Sequence, residues 1–184
     1  MAFFKYQNVV EIFQHDPSRY LPITEFIQTV MRGESSFTAG ERELIAAYVS
    51  GLNACDYCYG SHQAIATDLN VDPKLLEAIL TDLAEAPIEE GLYPVFALVR
   101  KLTLNPSKVT QADVDAILQA GWDEQAIEDV IGVCALFNFM NRFVNAYGLE
   151  MPDNEQLTAM AKGINTQGYK KLLQIAIQAQ NSSV

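Results

Sequence analysis

The sequence predicts an all-α protein. Leu, Ala and Ile recur at spacings of three and four along most of the chain, and Gly and Pro fall between the periodic stretches. No stretch shows the strict alternation of a half-buried strand. A chain of 184 residues has room for one domain. We read 1–184 as that domain, with a core at about 37–148. Helices within 1–36 and a tail at 152–184 are expected as appendages.

The elements follow from their end signals. Pro22 suits the first turn of a helix running to about Met31, with Gly33 past its end. Thr38 and Glu41 are spaced as a capping box opening a helix to about Ser50, and Gly51 suits its C-terminal cap. Asn53 then reads as the cap of a helix to about Leu69. Asp72 followed by Pro73 starts the next, with Leu75, Leu76, Ile79, Leu80 and Leu83 at core spacing. A fifth covers about Gly91 to Leu104, entered or bent at Pro94. Thr110 and Asp113 open a short helix to about Gln119. Asp123 opens a long one ending near Gly148, apolar over much of its circumference, so it is expected to be central or to lie between subunits. Short helices are expected near 155–162 and 169–178. Asn138, Asn141 and Asn145 repeat the spacing of Cys55, Cys58 and His62 at a shift of 83 residues, a faint internal echo.

Composition narrows the function classes. The formal net charge is −11, and the only basic clusters are Arg100-Lys101 and Lys170-Lys171, so no nucleic-acid partner is expected. The longest uncharged apolar runs, such as Val130 to Met140, are far shorter than the ~20 residues of a membrane span. The N-terminus lacks the pattern of a secretory signal, and a cytoplasmic protein is expected. Three cysteines without such a signal argue against a disulfide scaffold.

Two of the three form a Cys-x-x-Cys pair. Cys55, Cys58 and His62 stand at i, i+3 and i+7 of one expected helix and so share a face. Both sulfurs lie near its start, where N–H groups and the helix dipole favour thiolate. Glu43 precedes Gly51 by eight residues and His62 follows Asn53 by nine, so a hairpin at that turn sets them at similar depth. Carboxylate, imidazole and thiol in a row make a proton relay in which Glu43 orients or deprotonates His62 and His62 takes the cysteine proton. The dipole alone favours Cys55 as nucleophile, whereas adjacency to His62 favours Cys58. Cys58 is preferred because a dedicated base acts on one thiol and the dipole on both.

The pattern E-x11-C-x2-C-x3-H, realised as Glu43, Cys55, Cys58 and His62, resembles the core motif of the alkyl hydroperoxidase D-like (AhpD-like) family of the carboxymuconolactone decarboxylase superfamily. The wider segment from Glu41 to His62 resembles its peroxidase-related branch, as does FNFMNRFVNAYG near the end of the long helix. The resemblance spans about 37–148. It implies a helical bundle with a central hairpin carrying the Cys-x-x-Cys motif, assembly into homotrimers or homohexamers, and thiol-dependent reduction of alkyl hydroperoxides. It further implies Cys58 as peroxidatic, Cys55 as resolving, and His62 with Glu43 as the relay. No cofactor is implied beyond an external dithiol or lipoyl-type electron donor. One position departs: relatives carry a histidine just before the second cysteine, and here it is Tyr57, a hydrogen-bond donor but a poor base.

Two other readings compete. The pair can serve a non-catalytic redox switch on the same fold, or bind zinc with His62 and either Glu43 or His15. Against zinc stands the lack of a second knuckle. Cys134 and Trp122 read as packing, Asp56 as a cap partner, and Tyr59 as either pocket lining or packing.

Overall fold

The computed structural model describes residues 4–181, so the outermost residues of the expected 1–184 domain lie outside the described residues. The helices are α1 (Val9–His15), α2 (Pro17–Arg32), α3 (Ala39–Leu52), α4 (Asp56–Asp68) and α5 (Pro73–Thr81). They continue as α6 (Tyr93–Leu104), α7 (Gln111–Gln119), α8 (Glu124–Tyr147) and α9 (Asn154–Asn181). No strand occurs among the described residues, and none of their helices is long and apolar enough to cross a membrane.

Most starts follow the cap signals. The Glu41 carboxylate accepts the Thr38 N–H at 2.7 Å while Thr38 Oγ1 accepts the Glu41 N–H at 3.2 Å, closing the expected box. Asp72 accepts from Lys74 N–H at 2.9 Å ahead of Pro73. Asp123 accepts from Ala126 N–H at 2.8 Å, and α8 ends at Gly148 in the left-handed region with φ 65°.

Three boundaries differ from expectation. Helix α2 starts at Pro17, five residues before Pro22, because Asp16 caps it by accepting from Arg19 N–H. That start outweighs the one hydrogen bond Pro22 cannot donate. Gly51 lies inside the last turn of α3 rather than after it, where a Cβ would come within 2.7 Å of Leu80 Cδ1. Asn53 does not cap α4. Its N–H goes to the Val49 carbonyl and its side-chain amide to Asn138 and Asn141, so it completes α3. The turn is made by Ala54 at φ 50°, and Cys55 takes the N-cap position of α4.

Helix α3 is the axis of the molecule. Ten of its fourteen residues are buried, so it has no outward face. It pairs most extensively with α4 across the Asn53 turn and also meets α2, α5, α6 and α8. Helix α8 is less enclosed than its composition suggested. Val133, Phe137, Met140 and Val144 face the core, whereas Ile131 and Phe139 are 42 % and 46 % exposed. Both segments expected as appendages pack on the hairpin, since α2 adjoins α3 while α9 covers α4 and α2. Gly168, at φ 72° and ψ 173°, breaks α9 between the two short helices expected there.

Candidate functional site

The α3–α4 hairpin brings Glu43 against His62 as the equal spacing from the turn requires. His62 Nδ1 lies 2.6 Å from Glu43 Oε2, and Glu43 is wholly buried. The imidazole packs edge-on against Phe137 of α8, with ring centroids 4.3 Å apart.

Two residues outside the motif complete this cluster. Arg32, the last residue of α2, places Nη1 2.6 Å from Glu43 Oε1. Tyr169, the first residue after the break in α9, donates its hydroxyl to the same oxygen at 2.7 Å. The guanidinium also lies over the Tyr169 ring, 5.1 Å from its centroid. Burial alone would push the Glu43 carboxyl up. The neighbouring His62, Arg32 and Tyr169 outweigh it and hold the carboxyl below its ordinary value. Burial and the adjacent carboxylate push the Tyr169 phenol well above its own, so it stays a donor.

The cysteines form a second cluster. Both are reduced and buried. The Cys58 thiol donates to the Cys55 sulfur, which also receives the Cys58 N–H and a hydrogen bond from Asn141, bringing Cys55 down to about 7. Cys58 moves well above the ordinary thiol value because it donates to Cys55 and is buried. Asn141 is 1 % exposed and fixed by hydrogen bonds to Ser50 Oγ and from Asn53. It occupies the place that the asparagine echo aligned with Cys58.

A cavity of about 860 Å³ adjoins these clusters. Cys58, Ser61, His62, Tyr57 and Tyr169 line it, among apolar side chains that include Met140, Met151, Met160 and Leu173; Cys55 does not. The buried hydroxyl of Ser61 has no hydrogen-bond partner among the described residues. Tyr57, at the position of the family histidine, accepts the Val9 N–H at 3.3 Å, and burial raises its phenol to about 12. It therefore serves as an anchor for the start of α1.

Among the described residues no group of three or more His, Cys, Asp or Glu is set to hold a metal ion. His15 packs against Tyr6, with centroids 5.7 Å apart. Cys134 is wholly buried beside Thr103, and Trp122 packs on Phe37 while its Nε1–H donates to the Gly91 carbonyl.

Sequence reasoning missed Arg32, Tyr169 and Ser61. Arg32 carried one signal, a cation ending a helix at a glycine. Tyr169 carried none. Asn141 was visible as an amide within the apolar run of α8.

The model of the carboxymuconolactone decarboxylase family matches residues 21–87. An uncharacterized peroxidase-related protein from Silicibacter sp. TM1040 superposes with a TM-score of 0.74 at 29 % identity, over 80 % of this chain and 77 % of the other. The alkylhydroperoxidase AhpD core of an uncharacterized peroxidase-related protein from Ralstonia eutropha JMP134 gives 0.73 at 24 % identity, over 82 % and 78 %. The debrominase Bmp8, crystallised with 2,3,4-tribromopyrrole, gives 0.70 at 15 % identity, over 82 % and 79 %, a likeness of fold alone. A search of curated proteins found no match. With the motif from Glu43 to His62 set on this helical framework, the chain is similar to the carboxymuconolactone decarboxylase family over 21–87 and shares its all-α fold with AhpD-like, peroxidase-related proteins.

Proposed function

We propose that the protein is a thiol-dependent reductase of organic hydroperoxides, with Cys58 attacking and Cys55 resolving. The observation that carries this reading is that Cys58 lines the cavity and Cys55 lies behind it. Electrostatics favours Cys55 as the resting thiolate, but a sulfur out of reach of substrate cannot attack it. The two facts fit one sequence of steps. The pair loses its first proton to solvent or to His62, one turn along α4 from Cys58, and the remaining proton is shared between the sulfurs. As that proton moves to Cys55, Cys58 thiolate attacks the terminal peroxide oxygen. The O–O bond breaks, Cys58 becomes a sulfenic acid, and the leaving alkoxide takes a proton to give an alcohol. Cys55 then attacks the Cys58 sulfur and displaces water, forming the disulfide. An external dithiol, of lipoyl or thioredoxin type, reduces the disulfide and closes the cycle.

The cavity has the size of small-molecule sites, about 300–1,000 Å³. Assembly into a homotrimer or homohexamer belongs to the same proposal. Ile131, Ala135 and Phe139 form an exposed stripe on α8, and light scattering counts the subunits.

Mass spectrometry after one equivalent of hydroperoxide tests the division of labour. Cys55→Ser is expected to stop at a sulfenic acid, and Cys58→Ser to lose the fast reaction. His62→Gln should slow it by about 10²- to 10⁴-fold, the range of general-base contributions. Wild-type reaction in Cys58→Ser with an inert Cys55→Ser reverses the assignment. A wild type that forms its disulfide but does not turn over with any dithiol is a redox switch.

A further inference from the structure

A relay with Glu43 as its final base needs a carboxylate that can accept a proton. The surroundings of Glu43 deny it one. Both oxygens are occupied by donors, His62 Nδ1 at Oε2 and Arg32 with Tyr169 at Oε1, at 2.6 to 2.7 Å. A protonated carboxyl would set its own hydrogen against one of these donors and leave Arg32 without its counter-charge in a buried site.

Arg32 and Tyr169 are themselves held. The Arg32 guanidinium donates to the Met31 carbonyl at 2.8 Å and to Asn165 Oδ1 at 3.1 Å, and Asn165 in turn donates to the Ile65 carbonyl at 3.2 Å and to Asp68 at 2.8 Å. The Tyr169 N–H donates to Gln28 Oε1 at 2.8 Å, tying α9 to α2 at the break. Arg42 caps the end of α2 by donating to the Val30 and Gly33 carbonyls at 3.0 and 2.9 Å.

We propose that Arg32 and Tyr169 are positioning residues: they hold Glu43 as an anion against His62 Nδ1, which keeps that nitrogen protonated and leaves Nε2 as the proton acceptor. Two unprotonated atoms 2.6 Å apart would repel, so a hydrogen must lie between Nδ1 and the carboxylate. Glu43 then orients the imidazole and takes no proton. Arg32 has a second effect. With it, the neutral imidazole completes a cluster of zero net charge, and adding a proton leaves an uncompensated positive charge. Without it, the Glu43–His62 pair is negative and gains a proton more readily.

The charged and titratable groups around His62 are few. Helix α3 supplies Glu43, α2 Arg32, α9 Tyr169 and its own helix Cys58. Helix α8 presents Phe137, while Tyr57 of α4, Glu11 of α1, Glu150 and Lys5 line the same cavity. Glu77 of α5 acts on Tyr59.

The inference takes its catalytic meaning from the proposed peroxidase reading, but its test does not. The chain has two histidines, and His15→Gln leaves His62 as the single imidazole signal. The ¹⁵N shifts of His62 are followed against pH in the reduced protein. The expected neutral form carries hydrogen on Nδ1. In Arg32→Met the midpoint of protonation moves up by about one unit, the effect of a charge within a few ångströms. Tyr169→Phe moves it in the same direction by less, and Arg32→Lys restores it toward wild type. Hydrogen on Nε2 in the wild type, or an unchanged midpoint in folded Arg32→Met or Tyr169→Phe, overturns the proposal. Should Arg32→Met not fold, Tyr169→Phe carries the same comparison. Hydroperoxide consumption is assayed separately: an inert protein with the expected shifts overturns the peroxidase reading and leaves the positioning role standing.

Discussion

Cys55 and Cys58 are placed by a single turn of backbone, whereas Glu43 is placed by four helices. The thiol pair needs only the start of α4 and one amide, Asn141, set by α8. The carboxylate cluster draws Arg32 from α2, Glu43 from α3, His62 from α4 and Tyr169 from α9, with 137 positions separating its first and last members (169 − 32). In the first cluster the thiols tune each other by hydrogen bonding, Cys55 down and Cys58 up. The second buries a full ion pair and is stable only because every donor has found the same carboxylate. The placing of the thiol pair is thus a local property, and the placing of the carboxylate cluster is a property of the whole fold.

The sharpest way to break that contrast is Glu43→Ala. Arg32 then loses its counter-charge at 13 % side-chain exposure, and roughly 3–5 kcal/mol of unfolding free energy should be lost in urea titration, the usual consequence of breaking a buried pair. The pH dependence has a definite sign. The folded Glu43 value is lowered from 4.5, so its contribution is complete above that pH and fades as pH falls through the lower folded value. The wild-type advantage over Glu43→Ala should therefore shrink in acid. Equal stability of the two at pH 7 would show that the cluster holds nothing together.

On the thiol side, Asn141→Ala removes a hydrogen bond that lowers both cysteines. The first deprotonation of the pair, centred on Cys55 at about 7, should move up by about 0.5–1 unit, the equivalent of one hydrogen bond. Alkylation by iodoacetamide at pH 6.5 should slow accordingly, and an unchanged pH profile would leave Asn141 with a packing role only. The smallest effect is expected from Tyr57→Phe. Loss of the 3.3 Å bond from Val9 N–H costs about 1 kcal/mol or less, a Tm change of about 2–4 °C at most by calorimetry, with thiol reactivity unaltered. A large fall in reactivity would restore Tyr57 to the chemistry.

The same contrast explains what the sequence made legible. Helix ends were readable where side chains close on their own backbone, as at Thr38, Asp72 and Asp123. The Glu43–His62 contact was readable because two segments flanking a short turn can be counted inward from it. Reading failed at Asn53, a good cap by type, because its amide is claimed by Asn138 and Asn141 of a helix eighty-five and more residues away. It failed at Pro22 because a better start lay upstream at Asp16. Tyr169 could not be found from periodicity, since its place depends on how α9 is broken and laid across α2. Whether α8 is central or lies between subunits was left open, because apolar content does not say which side meets the core; Ile131 and Phe139 are the side that does not.

Gly168 shows how narrow the tolerance of such a site is to inherited change. Its left-handed φ of 72° costs other residues about 1–2 kcal/mol, and a Cβ there would stand 2.6 Å from Gln28 Oε1, the atom that receives the Tyr169 N–H. A one-carbon substitution at this position would thus strain the backbone beside Tyr169 and push the Gln28 amide from the Tyr169 N–H. A mutational scan scored only on the four motif residues would pass over it. In a lineage of this chain, residue 168 should be as intolerant of replacement as the residues whose geometry it guards.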